Sequence, residues 1–157
     1  MKITLLVVGK TTDSTVEKLT DVYIQRLKHY VDFQLVVIPE LKNTKSISKQ
    51  QQKQKEGELI LKSIPTGSHV VIMDENGTEY TSVGFSEKIS SYMSSGVKSV
   101  VFIIGGPYGF SADAYAAASE KISLSKMTFS HQMVRAIFTE QLYRAMTILK
   151  GEPYHHQ

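Results

Sequence analysis

The chain has 157 residues and no cysteine. That removes a disulfide framework, a thiolate zinc site and a cysteine nucleophile, and it suits a reducing compartment. Long apolar runs are missing as well. None approaches the roughly 20 residues needed to cross a bilayer. The N-terminal run Ile3–Val8, within MKITLLVVGK, is too short for a secretory signal and reads as a buried strand. These absences place the protein in the cytoplasm, away from membranes. The tail histidines, His155 and His156, have no acidic or cysteine partners at metal-ligand spacing, so no metal site is expected. No internal repeat and no interdomain linker interrupt the chain.

What is present suits one domain spanning residues 1–157. A chain of this size can bury roughly 70% of its unfolded surface, enough for a core without staples. The formal net charge is +3. This mild basic excess permits a polyanionic partner without demanding one.

Strand and helix signals alternate. Ile3–Val8 is followed by S-x-x-E capping-box spacing at Ser14–Glu17 and a helical apolar pattern running to Tyr30. Phe33–Ile38 is the next strand, closed by Pro39. Residues 42–63 are rich in Lys, Gln and Ser and read as a solvated helix with a mobile first half. Their lysines make a solvated face on the plain reading, or an electrostatic arm on RNA phosphates. His69–Met73 reads as a short buried strand, Asp74–Gly77 as a turn, and Val83–Ser94 as a helix with Phe85, Ile89, Tyr92 and Met93 inward. Lys98–Ile104 is a strong strand. The alanine-rich DAYAAASEK suits a helix beginning near Ser111, Ile122–Leu124 a short strand, and His131–Lys150 a long helix stopped by Gly151. This alternation predicts an α/β domain with a mainly parallel sheet flanked by helices.

Two segments carry chemistry. The first is strand, glycine loop, helix: VFIIGGPYGFSADAY. Glycines after a parallel strand let a ligand approach the backbone, and ligands bind beyond the carboxyl ends of such strands. The spacing is neither the dinucleotide fingerprint nor a phosphate loop, and no lysine follows to hold a phosphate. A tight structural turn is the plainer reading. The second is SLSKMTFSHQMVRAIFTEQLYRAM. Its hydroxyl-rich loop offers polar backbone to a heterocycle, with Met127 and Phe129 as apolar surface, while Ser130 suits a helix cap. The stripe Met133, Val134, Ile137, Phe138, Leu142, Met146 and Leu149 reads as core or dimer seam. Glu140 and Arg144, four apart, form a surface pair or serve substrate positioning and proton handling. The tail Tyr154-His155 is a disordered terminus or an RNA contact. His29 and His69 read as structural.

KITLLVVGK, IIGGPYGFS, ISLSKMTFSHQMVR, EQLYRAM and GEPYHH occur in that order along essentially the whole chain. Together they resemble the small trefoil-knotted, SPOUT-class methyltransferases that act on N3 of a pseudouridine in large-subunit ribosomal RNA. The resemblance implies a C-terminal trefoil knot over about residues 100–157 and S-adenosyl-L-methionine as cofactor. It implies a cofactor pocket built from Met73, Gly105, Leu124, Ser125, Lys126, Met127, Thr128 and Phe129. Met73 stands where members commonly carry Leu, a swap that keeps the apolar contact. It further implies substrate-side roles for Arg144, Tyr154, His155 and Glu140. The partners would be a second copy of the chain, paired along the C-terminal helix, and ribosomal RNA within the assembled ribosome. Two other readings compete: a non-catalytic RNA-binding protein with a vestigial pocket, and a binder of an ordinary nucleotide.

Overall fold

The computed structural model describes residues 1–156. Five strands form one sheet: β1 (Lys2–Val8), β2 (Asp32–Ile38), β3 (His69–Glu79), β4 (Ser99–Ile104) and β5 (Glu120–Ser123), in the order β2-β1-β4-β3-β5. Every pairing is parallel. Five helices intervene: α1 (Ser14–Leu27), α2 (Lys49–Ser63), α3 (Ser82–Ser94), α4 (Ala112–Ala117) and α5 (Met133–Leu149).

The strands are apolar on both faces because both faces are covered. Ile3, Leu5 and Val7 of β1, with Val100, Phe102 and Ile104 of β4, pack against α1, α3 and α5 through Leu27, Ile89 and Phe138. Leu6 and Val8, with Val101 and Ile103, face the opposite way and meet Ile60 of α2 and Ala114 of α4. The strand period of two therefore sorts one hydrophobic run into two cores.

Several boundaries differ from the sequence expectation, each for a local reason. The cap of α1 is Asp13, which accepts from Thr15 and Val16 N–H, rather than Ser14. Helix α2 starts at Lys49 behind a full capping box of Ser48 and Gln51, and residues 44–46 form a separate 3-10 turn. Met93 is exposed on α3, while Ser86 takes the inward position and donates to Val83 O. Strand β3 does not end at Met73. It slips register against β5 between Met73 and Thr78 and continues to Glu79. Helix α4 stops at Ala117 because Glu120 belongs to β5, where it accepts from Tyr92 at 2.5 Å, His69 at 2.7 Å and Lys88 at 2.8 Å. This bonding gives His69 its structural role. The tail is not disordered: Pro153–His155 forms a 3-10 turn packed on α5.

Helix α5 is tied to the far end of the chain by Arg135, which is only 1% exposed. Its guanidinium donates to Val8 O at 2.7 Å, Gly9 O at 2.8 Å and Thr11 Oγ1 at 3.1 Å, and its Nε to His131 O at 3.1 Å. Burial pushes this guanidinium's pKa down, and Glu40 opposes the shift. One turn earlier, the Gln132 amide accepts from Thr12 and Asp13 N–H and donates to Thr12 Oγ1. Arg135→Met keeps the bulk but strips the donors from two buried carbonyls, at about 1–3 kcal/mol each. Urea unfolding should show a loss of about 2–4 kcal/mol, and a change under about 1 kcal/mol would contradict this role.

Candidate active site

The carboxyl ends of β3, β4 and β5 and the start of α5 enclose a cleft of about 670 Å³, within the usual size range for a small-molecule site. Its apolar floor is Met73, Ile104, Leu124 and Val134. Gly105–Phe110 form one wall, and Ser123–Ser125 with Met127–His131 form another.

The glycine wall is braced from behind. Glu56 of α2 is buried, and its Oε1 accepts the Gly106 N–H at 3.0 Å. A Cβ on Gly106 would come within 2.7 Å of that carboxylate, so only glycine fits. Gly57 is needed for the same kind of reason, since a Cβ there would overlap Ser111 Oγ. Ser111 itself caps α4 by accepting from Ala114 N–H. Burial pushes the Glu56 carboxyl up. The Gly106 hydrogen bond opposes this and Glu40 adds to it.

The opposite wall organises itself through its hydroxyls. Ser123 Oγ donates to Ser125 O at 2.9 Å, and Ser125 Oγ accepts from Met127 N–H at 2.9 Å. Ser130 Oγ accepts from the N–H of Met133, the first residue of α5, although the N-cap position is Gln132 and not Ser130. These bonds hold Met127 outward at 76% exposure, as apolar surface over the cleft.

Asp74, Glu75 and Asn76 sit at the third side. Asp74 Oδ1 accepts from Asn76 N–H at 2.8 Å, and Oδ2 accepts from Tyr115 OH. Burial pushes the Asp74 carboxyl up. The hydrogen bonds from Tyr115 and Asn76, with Lys121 nearby, outweigh it and leave the carboxyl below the usual range. Tyr115 is pushed up to about 12 by burial and by Asp74. The described lining thus carries two carboxylates, Asp74 and Glu75, and neither lysine nor arginine. Such a cleft favours a ligand bearing positive charge over a polyphosphate.

Seven of the eight residues expected at a cofactor pocket line this cleft: Met73, Gly105, Leu124, Ser125, Met127, Thr128 and Phe129. Lys126 does not line it; its side chain is 87% exposed and lies 3.9 Å from Glu79. Asp74, Glu75 and Asn76 were missed because a polar cluster before glycine reads as a turn. Their place at the carboxyl end of a parallel strand was the available signal. Glu56 had none, being an acid in a Lys- and Gln-rich helix.

The substrate-side candidates lie elsewhere. Arg144 donates from Nε and Nη2 to Glu140 Oε1, at 3.1 and 2.5 Å. Tyr154 OH donates to the same oxygen at 3.1 Å, and Gln141 occupies Oε2. Arg144 Nη1 lies 3.2 Å from His155 Nδ1 and stacks over the Tyr154 ring. Arginine can only donate, so Nδ1 accepts and the His155 proton sits on Nε2, an atom buried without a partner. The Glu140 hydrogen bond raises the Arg144 pKa. Burial, Tyr23 and Glu140 raise that of Tyr154. Val134 lines the cleft, and Arg144 follows ten residues later on α5. That separates them by roughly 15 Å along the helix axis. Within one subunit the cleft and this cluster stand apart.

A family model described as "Predicted SPOUT methyltransferase" matches residues 1–155. The chain belongs to this methyltransferase family. Among its relatives, "Ribosomal RNA large subunit methyltransferase H" of Phocaeicola vulgatus is 59% identical over 157 residues, the full length of both chains. The protein of the same name from Christiangramia forsetii is 55% identical over the same full length. A solved structure, "a probable methylase family protein from Haemophilus influenzae Rd KW20", shares the fold at a TM-score of 0.52 and 13% identity. That match covers 99% of this chain and 70% of the other. The family is one of methyl transfer.

Glu56→Ala should cost about 1–3 kcal/mol, because Gly106 N–H loses its buried partner. Glu56→Gln keeps an acceptor and should stay within about 0.5 kcal/mol at low pH. An acid whose folded pKa is raised favours the protonated fold, and that contribution is lost as pH rises through the folded value. The Gln variant should therefore gain on the native protein as pH rises. Equal pH profiles in denaturant titrations would refute this.

Proposed function

We propose that the protein transfers a methyl group from S-adenosyl-L-methionine to N3 of a pseudouridine in large-subunit ribosomal RNA, within the assembled ribosome. The observation that carries this reading is the full-length identity with relatives named for ribosomal RNA methylation. The acidic cleft supports the choice of cofactor: S-adenosyl-L-methionine carries a sulfonium and an ammonium, and the lining offers Asp74 and Glu75 without an opposing cation. Lys126 would contribute through its backbone rather than its side chain. In the reading's fold, residues from about 100 to 157 form the trefoil knot, and the protein works in the cytoplasm.

The cofactor, when bound, supplies a methyl group on a positively charged sulfur. The chain's own residues have to align the nucleophile with it, a contribution of about 7–11 kcal/mol. Pseudouridine N3 lies between two carbonyls and must lose its proton to react. Arg144 is a donor suited to holding the resulting anion, and His155, bonded to it through Nδ1, helps to position it. Glu140 is occupied on both oxygens, so its role is to position Arg144 and Tyr154. Tyr154 offers a ring for stacking. No free base stands in this cluster, which leaves the proton to solvent.

The distance between cleft and cluster supports an active site shared between two subunits. A homodimer packed along α5, joined by the exposed Leu19 and Val22 of α1, would bring Arg144 of one copy to the cleft of the other. Each active site then draws on both subunits.

Calorimetric titration with S-adenosylhomocysteine tests the pocket without RNA. Selective binding near one site per subunit, with no heat from ATP or NAD, is expected, and labelled-methyl transfer to ribosomes should follow. Arg144→Ala should abolish that transfer while leaving analogue affinity within a few-fold. A folded protein that ignores the analogue would sink the reading. Equal loss of binding and transfer in Arg144→Ala would make that residue structural.

A further inference from the structure

Residues 41–55 hold five lysines, Lys42, Lys45, Lys49, Lys53 and Lys55, and no acid. The whole chain nets only +3, so this stretch concentrates charge that the rest of the molecule cancels. Among the described residues, no ion pair involves any of the five. The first acid after them, Glu56, is turned inward onto Gly106 and is only 6% exposed, so it leaves the outer face uncompensated.

The fold puts this charge beside the cleft. Strand β2 ends at Ile38, and with a parallel sheet its carboxyl end lies on the same rim as those of β3, β4 and β5. The lysine stretch follows over that rim into α2. Helix α2 is then fastened to the glycine wall. Gln54 Nε2 donates to Asp113 Oδ2 at 2.9 Å, and Gly57 lies against Ser111. Lys49 Nζ lies 5.6 Å above the ring of Tyr108, a cleft residue that is 41% exposed. The basic face is thus held at a set position relative to the pocket.

We propose that the outer face of residues 42–55 is the docking surface for the RNA sugar-phosphate backbone, with Tyr108 as a ring on which a base stacks at the mouth of the cleft. This rests on the RNA methyltransferase reading above and adds where the RNA lies. Lysines act as point charges on phosphates and read no sequence. The surface therefore contributes affinity and approach, while selection of the target nucleotide belongs to the substrate-side cluster and to ribosome shape.

The test is the triple variant Lys42→Ala, Lys45→Ala, Lys53→Ala, with Lys49 kept because it touches Tyr108. Alanine favours the helix at position 53, so the melting temperature and the S-adenosylhomocysteine affinity should match the native protein. Filter binding to protein-free large-subunit rRNA across a salt series should lose about two to three units of slope in log K against log salt. The KM for ribosomes should rise about tenfold or more, with kcat unchanged. An unaltered salt slope for rRNA overturns the proposal. If the KM for ribosomes rises while rRNA binding is unaltered, the surface meets a ribosomal protein instead, which also overturns it. Methyl transfer by the native protein checks the underlying reading separately, because the salt series requires no catalysis.

Discussion

Arg135 is a buried cation whose partners are mostly main-chain carbonyls at the end of β1 and the start of its following loop. Desolvating a guanidinium costs several kcal/mol, so the arrangement persists only because those carbonyls would otherwise be orphaned. The bonds reach more than 120 residues back along the chain. They set where α5 begins, and α5 in turn sets both chemical ends of the molecule. Its first turn closes the cleft through His131 and Val134. Its later turns carry Glu140 and Arg144, against which the tail folds.

The two ends differ in chemical character. The cleft is acidic and partly apolar, which favours a compact cationic ligand. The cluster around Arg144 is an arginine–glutamate pair set among aromatic rings. On the proposed reading, a dimer brings the two together, and assembly would then be a condition for activity. A third feature, the acid-free lysine stretch, lies on the cleft's rim and supplies long-range attraction that neither end provides.

The fold class was legible because β1 and β4 are uninterrupted apolar runs and the helices between them are periodic. The glycine wall was legible as one side of a cleft because Gly105-Gly106-Pro107 follows a strand directly. Boundaries failed where tertiary contacts overrode local pattern. Glu120 looks helical after the alanines, yet His69, Tyr92 and Lys88 draw it into β5. The tail looks disordered, yet Tyr154 and His155 find partners on α5. The brace at Glu56 and the anchor at Arg135 were invisible, since a charged residue in a helix gives no local sign of being buried. The separation of cleft and cluster could not be read from sequence either, because both belong to one continuous helical segment.

Complementation between two defective subunits tests the shared active site most directly. One chain carries Arg144→Ala. The other carries Thr128→Trp, whose indole fills the cleft, and is first shown to stay folded and to bind no S-adenosylhomocysteine. Each homodimer should be inactive. A purified heterodimer should recover about half the native activity per dimer, because one intact cleft then faces one intact Arg144, one good site in two. Complete inactivity of the heterodimer would mean that cleft and Arg144 act within one subunit, and the account of the site would be wrong.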